Sequence, residues 1–166
     1  MSITLEKKID SPVSVKMIKV ENFDGCVVDT AGAQEVEIEE SKVSNYLVQK
    51  GDILLASKGT VIRAAIVQNI DEPCIFNSNI NVIRVKEGAN LIPEFLLSYL
   101  NSDLWMKQLL LIQTGGIVKN ISLKALREMD VPMLDMDTQE VIEARLISFN
   151  KNLKKQRKLI AEYENK

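Results

Sequence analysis

Residues 51–67, GDILLASKGTVIRAAIV, hold two apolar runs divided by three residues, one of them a glycine. Residues 53–56 are an apolar run of strand length, and residues 60–67 are β-branched and apolar with Arg63 as the one charge. Gly51 and Asp52 in front are turn chemistry, because glycine reaches backbone angles other residues avoid and aspartate bonds its own backbone. Ser57, Lys58 and Gly59 between the runs supply the glycine that a hairpin turn takes at positive φ. A hairpin this apolar belongs at the centre of a domain, covered on at least one face. Its polar residues, Ser57, Lys58 and Thr60 at the tip and Arg63 just beyond, are then what it presents to a partner.

Short elements surround this hairpin. Residues 1–12 read as a disordered lead-in. Val13, Val15 and Met17 alternate with Ser14 and Lys16, which predicts a strand over 13–20. Asp24-Gly25 is a turn signal. Further strands are expected at 26–29, 34–38, 74–76 and 80–85, with a helical turn or two over 39–47. Pro93 opens a helix carrying Phe95, Leu96, Tyr99 and Leu100. Ser102 caps a second, with Trp105 and Leu109, which Gly115-Gly116 ends. Phe95, Tyr99, Trp105 and Leu109 at helical spacing read as core, not as a base-stacking platform. A strand over 117–121 and a brief helix capped by Ser122 complete a domain spanning 13–136. The expected class is α+β, a mixed twisted β-sheet with packed helices.

From residue 137 the pattern is helical to the end of the chain. Asp137 with Glu140 makes a start resembling a capping box. Ile142, Leu146, Phe149, Leu153, Gln156, Ile160 and Tyr163 recur at alternating spacings of 4 and 3, a heptad seam with one polar member that fixes register or partner. Lys151, Lys154, Lys155, Arg157 and Lys158 crowd the seam, so only a narrow stripe can be buried. The reading is a projecting coiled-coil helix over 137–166 that pairs with another helix; the alternative is a terminal helix folded back on its own domain.

Composition removes whole classes of chemistry. The chain has no histidine, which rules out Ser-His-Asp and Cys-His arrangements and His-ligated metals. It has no glycine-rich phosphate loop or Rossmann pattern, so catalysis by this chain alone is not expected and no catalytic or metal residue is assigned. Cys26 and Cys74 lack paired spacing and read as buried thiols in a reducing cytoplasm. No apolar run reaches the roughly 18 residues that span a bilayer, and MSITLEKKIDS lacks the apolar core of a signal peptide. A cytoplasmic location without a membrane partner is expected. Residues 1–136 carry 14 Lys and Arg against 18 Asp and Glu, whereas residues 137–166 carry 7 against 5. An acidic globular part is poorly suited to grip nucleic acid alone.

The ordered set VKMIKVENFDG, GDILLASKGT, RAAIV, NSNINVIRVK, IPEFLLSYLNSD, TGGIVKNISLKALREMDVP and TQEVIEARL resembles the DNA-specificity subunits of type I restriction–modification systems, over about residues 15–160. The resemblance implies a target-recognition domain followed by a helical spacer, without catalytic function of its own. It implies double-stranded DNA as ligand, one half of a split site per domain, and spacer helices that pair antiparallel. Partners would be methyltransferase (modification) subunits and a restriction motor subunit. S-adenosylmethionine, ATP and Mg would sit on those partners, with no cofactor on this chain. One domain and one helix make it a half subunit or a fragment, so a homodimer or helix pairing with another specificity subunit is expected. Here Val61-Ile62 stands where relatives often carry a second glycine, and Leu134-Asp135 replaces a proline pair.

For DNA contact the candidates are Lys58, Thr60 and Arg63 at the hairpin, Lys119 and Asn120 after the glycine pair, and Asn77 and Asn79. Lys and Arg bond guanine edges, Asn bonds adenine, and all bind phosphate. The competing reading makes Asn77 and Asn79 turn formers and Lys58 a solvated tip. The alternative function is a truncated interaction module that pairs by its helix without reading DNA.

Overall fold

The computed structural model describes residues 11–59, 62–112 and 119–164. Along the chain, β1 (Pro12–Ile18), a 3-10 turn at Val20–Asn22, β2 (Phe23–Asp24), β3 (Val27–Val28), β4 (Gln34–Glu39) and the short α1 (Glu40–Val43) precede β5 (Ile53–Ala56). Then come β6 (Lys58–Gly59), β7 (Ala64–Ile66), β8 (Cys74–Phe76), β9 (Ile80–Ile83), α2 (Pro93–Leu100), α3 (Asp103–Ile112), β10 (Lys119–Asn120), α4 (Leu123–Arg127) and α5 (Met136–Glu164).

β5 and β7 pair antiparallel at the centre, Ile53 opposite Ile66 and Leu55 opposite Ala64. Ile53, Leu55, Ala64 and Ile66 face one core and Leu54, Ala56, Ala65 and Val67 the other. Burial on both faces leaves no polar phase, which is why the sequence shows continuous apolar runs where a half-exposed strand would alternate. The pair sits in a five-stranded sheet ordered β2-β3-β7-β5-β9, in which only β3 and β7 run parallel. Leu96, Leu97 and Leu100 of α2 and Trp105 and Leu109 of α3 cover one face. Ile18, Phe23, Val28, Val48 and Cys74 fill the other, beside a three-stranded sheet ordered β4-β1-β8. Burial pushes the pKa of both thiols up, keeping half-buried Cys26 and buried Cys74 neutral.

The caps follow the side chains. The Trp105 N–H donates to Ser102 Oγ and the Ala125 N–H to Ser122 Oγ. Gly51, at φ +87°, and Gly25, at φ +63°, take the left-handed backbone their turns require. Asp52 does more than turn the chain. It is buried, and its carboxylate accepts the Gln49 N–H at 2.7 Å and a two-pronged grip from Arg84 Nε and Nη2 at 2.6 and 2.7 Å.

One expectation changes at the hairpin. Ser57-Lys58-Gly59 is not its turn: the Ala56 N–H reaches the Arg63 carbonyl across a longer loop, and β7 begins only at Ala64. The expected strand over 117–121 is seen as β10, Lys119–Asn120. Thr60 and Gly115-Gly116 lie outside the described residues.

α5 starts two residues earlier than Asp137 and Glu140 imply, at Met136. Asp135 is the cap: its carboxylate accepts the Thr138 N–H and hydroxyl, both at 2.8 Å. Those two bonds, the N–H first, hold the Asp135 carboxyl below the ordinary carboxylate value. A folded-state pKa below the unfolded one makes the cap's contribution complete above the unfolded value and lost as pH falls through the folded one. Asp135→Asn keeps a capping oxygen without titrating. In thermal melts, any advantage of the wild type over Asp135→Asn near neutral pH should shrink on acidification; a constant difference would contradict the assignment.

The helix then folds back along its own domain. Leu146 packs against the core beneath α2, and Arg157 forms an ion pair with Asp24 at the end of β2. Ile142, Leu146 and Leu153 are half-buried, while Phe149, Gln156, Ile160 and Tyr163 stay exposed. At about 100° per residue, Leu146 and Leu153 fall to one side of Ile142 and Phe149, Gln156 and Tyr163 to the other, so one flank of the seam meets the domain and the other does not. Beyond the ion pair, residues 158–163 are exposed.

Candidate nucleic-acid interface

The loop between β5 and β7 is fixed at both ends. At its entry Ser57 is buried, not presented to a partner: its N–H and Oγ donate to the Asn79 carbonyl at 2.9 and 3.2 Å, and its own carbonyl accepts the Ile121 N–H at 2.8 Å. At its exit Ile62 is buried, and Asn101 from the end of α2 holds both backbone groups of Ala64, at 2.9 and 3.0 Å. Arg63 turns inward, donating to the Val20 carbonyl at 2.8 Å with its guanidinium 5.6 Å from the Phe23 ring centre.

Between these anchors the chain makes a second, two-stranded ribbon. β6 pairs antiparallel with β10, Gly59 opposite Lys119 and Lys58 opposite Asn120. Lys58 is exposed on it. The fold therefore brings together three candidates from distant parts of the sequence, Lys58, Lys119 and Asn120, and sets Asn79 beside them through Ser57. Asn77 Oδ1 accepts the Asn79 N–H at 3.1 Å and the Asn77 carbonyl the Ile80 N–H at 3.1 Å, so Asn77 closes a turn. Arg63 and Asn77 shape the site, and Thr60 lies outside the described residues. Asn81, which reaches the Ile121 carbonyl at 3.4 Å, Ser57 and Asn101 all organise the ribbon. Nothing in the sequence marks them, because each acts on backbone groups far away in the chain. Among the described residues no group of His, Cys, Asp and Glu is placed to hold a metal ion, and no helix is long and apolar enough to cross a membrane.

Residues 5–163 match the type I restriction modification DNA specificity domain. The chain belongs to that family. The type I specificity domain is a non-catalytic part of its system, in line with the histidine-free composition. A solved HsdS subunit from Thermoanaerobacter tengcongensis shares the fold with a TM-score of 0.62 at 18% identity, over 92% of this chain and 40% of that one. This specificity domain therefore spans well under half the length of that subunit. No curated protein matches it.

Proposed function

We propose that this specificity domain reads about half of a bipartite DNA site through the β6–β10 ribbon, as part or all of a specificity subunit that positions modification and motor–nuclease subunits in the cytoplasm. The observation that carries the proposal is the pairing of Lys58-Gly59 with Lys119-Asn120. It puts two lysines and an asparagine on one short ribbon of an otherwise acidic domain, the residue types that bond base edges and phosphates. S-adenosylmethionine, ATP and Mg belong to the partner subunits in this account. Because the domain is acidic, binding alone is feeble and becomes tight and salt-sensitive only inside a complex with modification subunits. A gel-shift titration with and without those subunits tests this; equal failure to bind any duplex in both would sink it.

Pairing falls to the flank of α5 left uncovered by the domain, where Phe149 and Ile160 are more than half exposed and Tyr163 is 79% exposed. Phe149→Asp combined with Ile160→Asp should convert a paired species to a monomer in sedimentation, without lowering the thermal midpoint of the domain. A mass unchanged by both substitutions would exclude this flank.

A further inference from the structure

One side chain holds the root of α5. Gln139 is fully buried: Oε1 accepts the Ile92 N–H at 2.9 Å, and Nε2 donates to the Leu134 and Asn90 carbonyls at 2.8 and 3.1 Å. All three bonds point to backbone, two of them to the segment leading into α2. Rotating or tilting the helix there would strand buried polar groups, which is costly. Roughly 27 Å further along the helix, Arg157 meets Asp24. Leu146 packs between these two points. A rod held at one end can swing; held at two points with a packed middle, it has one direction. The outer pin stands one residue from Phe23, the ring that Arg63 at the loop exit covers.

We infer that Gln139 and the Asp24–Arg157 pair are positioning residues that lock α5 in one direction relative to the β6–β10 ribbon. Two domains joined through their helices then hold their ribbons at one separation and one rotational phase on DNA. This rests on the bipartite reading proposed above. Each base pair added between half-sites moves them apart by about 3.4 Å and turns them by about 35°, so a pinned helix accepts one spacer length where a swinging one accepts several.

The test uses two sets of substitutions in the full chain. Asp24→Asn with Arg157→Gln removes the outer pin at exposed positions. Gln139→Met keeps the bulk but leaves Ile92 N–H and two carbonyls without partners; if it fails to fold, the outer-pin variant decides alone. Spin labels at Asp71→Cys, exposed beside the outer part of α5 near Lys154 and away from the Gln139 root, and at Glu162→Cys, with Cys26→Ser and Cys74→Ala, report the direction of the helix. The parent should give one narrow distance distribution and the variants a broad one. In the assembled complex, preference for the best spacer over its one-base-pair neighbours should fall from about ten-fold to about three-fold or less. Distances that stay narrow in the variants, or broaden while spacer preference persists, overturn the inference. A parent complex indifferent to spacer length would overturn the bipartite reading instead, and the distances would then judge the pins alone.

Discussion

Arg84→Ala is expected to destabilise the domain by about 3 kcal/mol in urea unfolding. The arginine itself is about half exposed, 47% by side chain, whereas the Asp52 carboxylate it grips is 1% exposed. The cost therefore comes from the aspartate, left in the interior with the Gln49 N–H as its remaining bond. Its position makes the damage general. The Asp52 carbonyl accepts the Val67 N–H, the Gly51 N–H reaches the Val67 carbonyl, and Arg84 continues from β9, so three strands of the central sheet meet at this pair. Arg84→Lys should fall between, because an ammonium supplies charge without the two-pronged geometry. Asp52→Asn should be milder than Arg84→Ala, since a neutral amide buries no charge. Equal midpoints for Arg84→Ala and wild type would show that the pair contributes nothing.

Lys58→Glu with Lys119→Glu is expected to weaken site-selective binding by about 100-fold or more. Both lie on the β6–β10 ribbon, and each reversal replaces an attraction to phosphate or base edge with a repulsion. Assembly through α5 should persist, because neither position is on that helix. Arg63→Gln should behave differently despite removing a charge at the same hairpin. Its guanidinium is engaged with the Val20 carbonyl and Phe23, so the main effect should be on stability. The slope of binding against salt, which counts phosphate contacts, should change for the lysine pair and hold for Arg63→Gln.

The central hairpin was legible in the sequence because burial on both faces imposes unbroken apolar runs, and local chemistry marked Gly51, Pro93, Ser102 and Ser122. The ribbon was not legible as a unit. Lys58-Gly59 reads as a turn by local rules, and two-residue strands are too short to show a period; only a partner brought from residues 119–120 makes it a strand. At the start of α5 the Asp137–Glu140 spacing suggested a later cap than the one seen, Asp135, whose carboxylate holds the Thr138 N–H and hydroxyl. The seam of α5 named apolar residues well but not their partner. Leu146 serves the domain while Phe149 does not, because the two sit on opposite flanks of the seam, a distinction that a heptad count conceals. Gln139 stood in the sequence as the leading residue of TQEVIEARL, one of the stretches that carry the family resemblance. Its role depends on backbone groups at Asn90, Ile92 and Leu134, which no spacing rule brings to it.

The central claim is that the β6–β10 ribbon reads DNA sequence. It is tested most directly by selecting duplexes from a randomised library with the chain assembled on modification subunits, then repeating the selection with Lys58→Glu and Lys119→Glu. One enriched half-site motif is expected for the wild type and its loss in the double variant, with assembly intact. The same motif enriched equally by both proteins would contradict it.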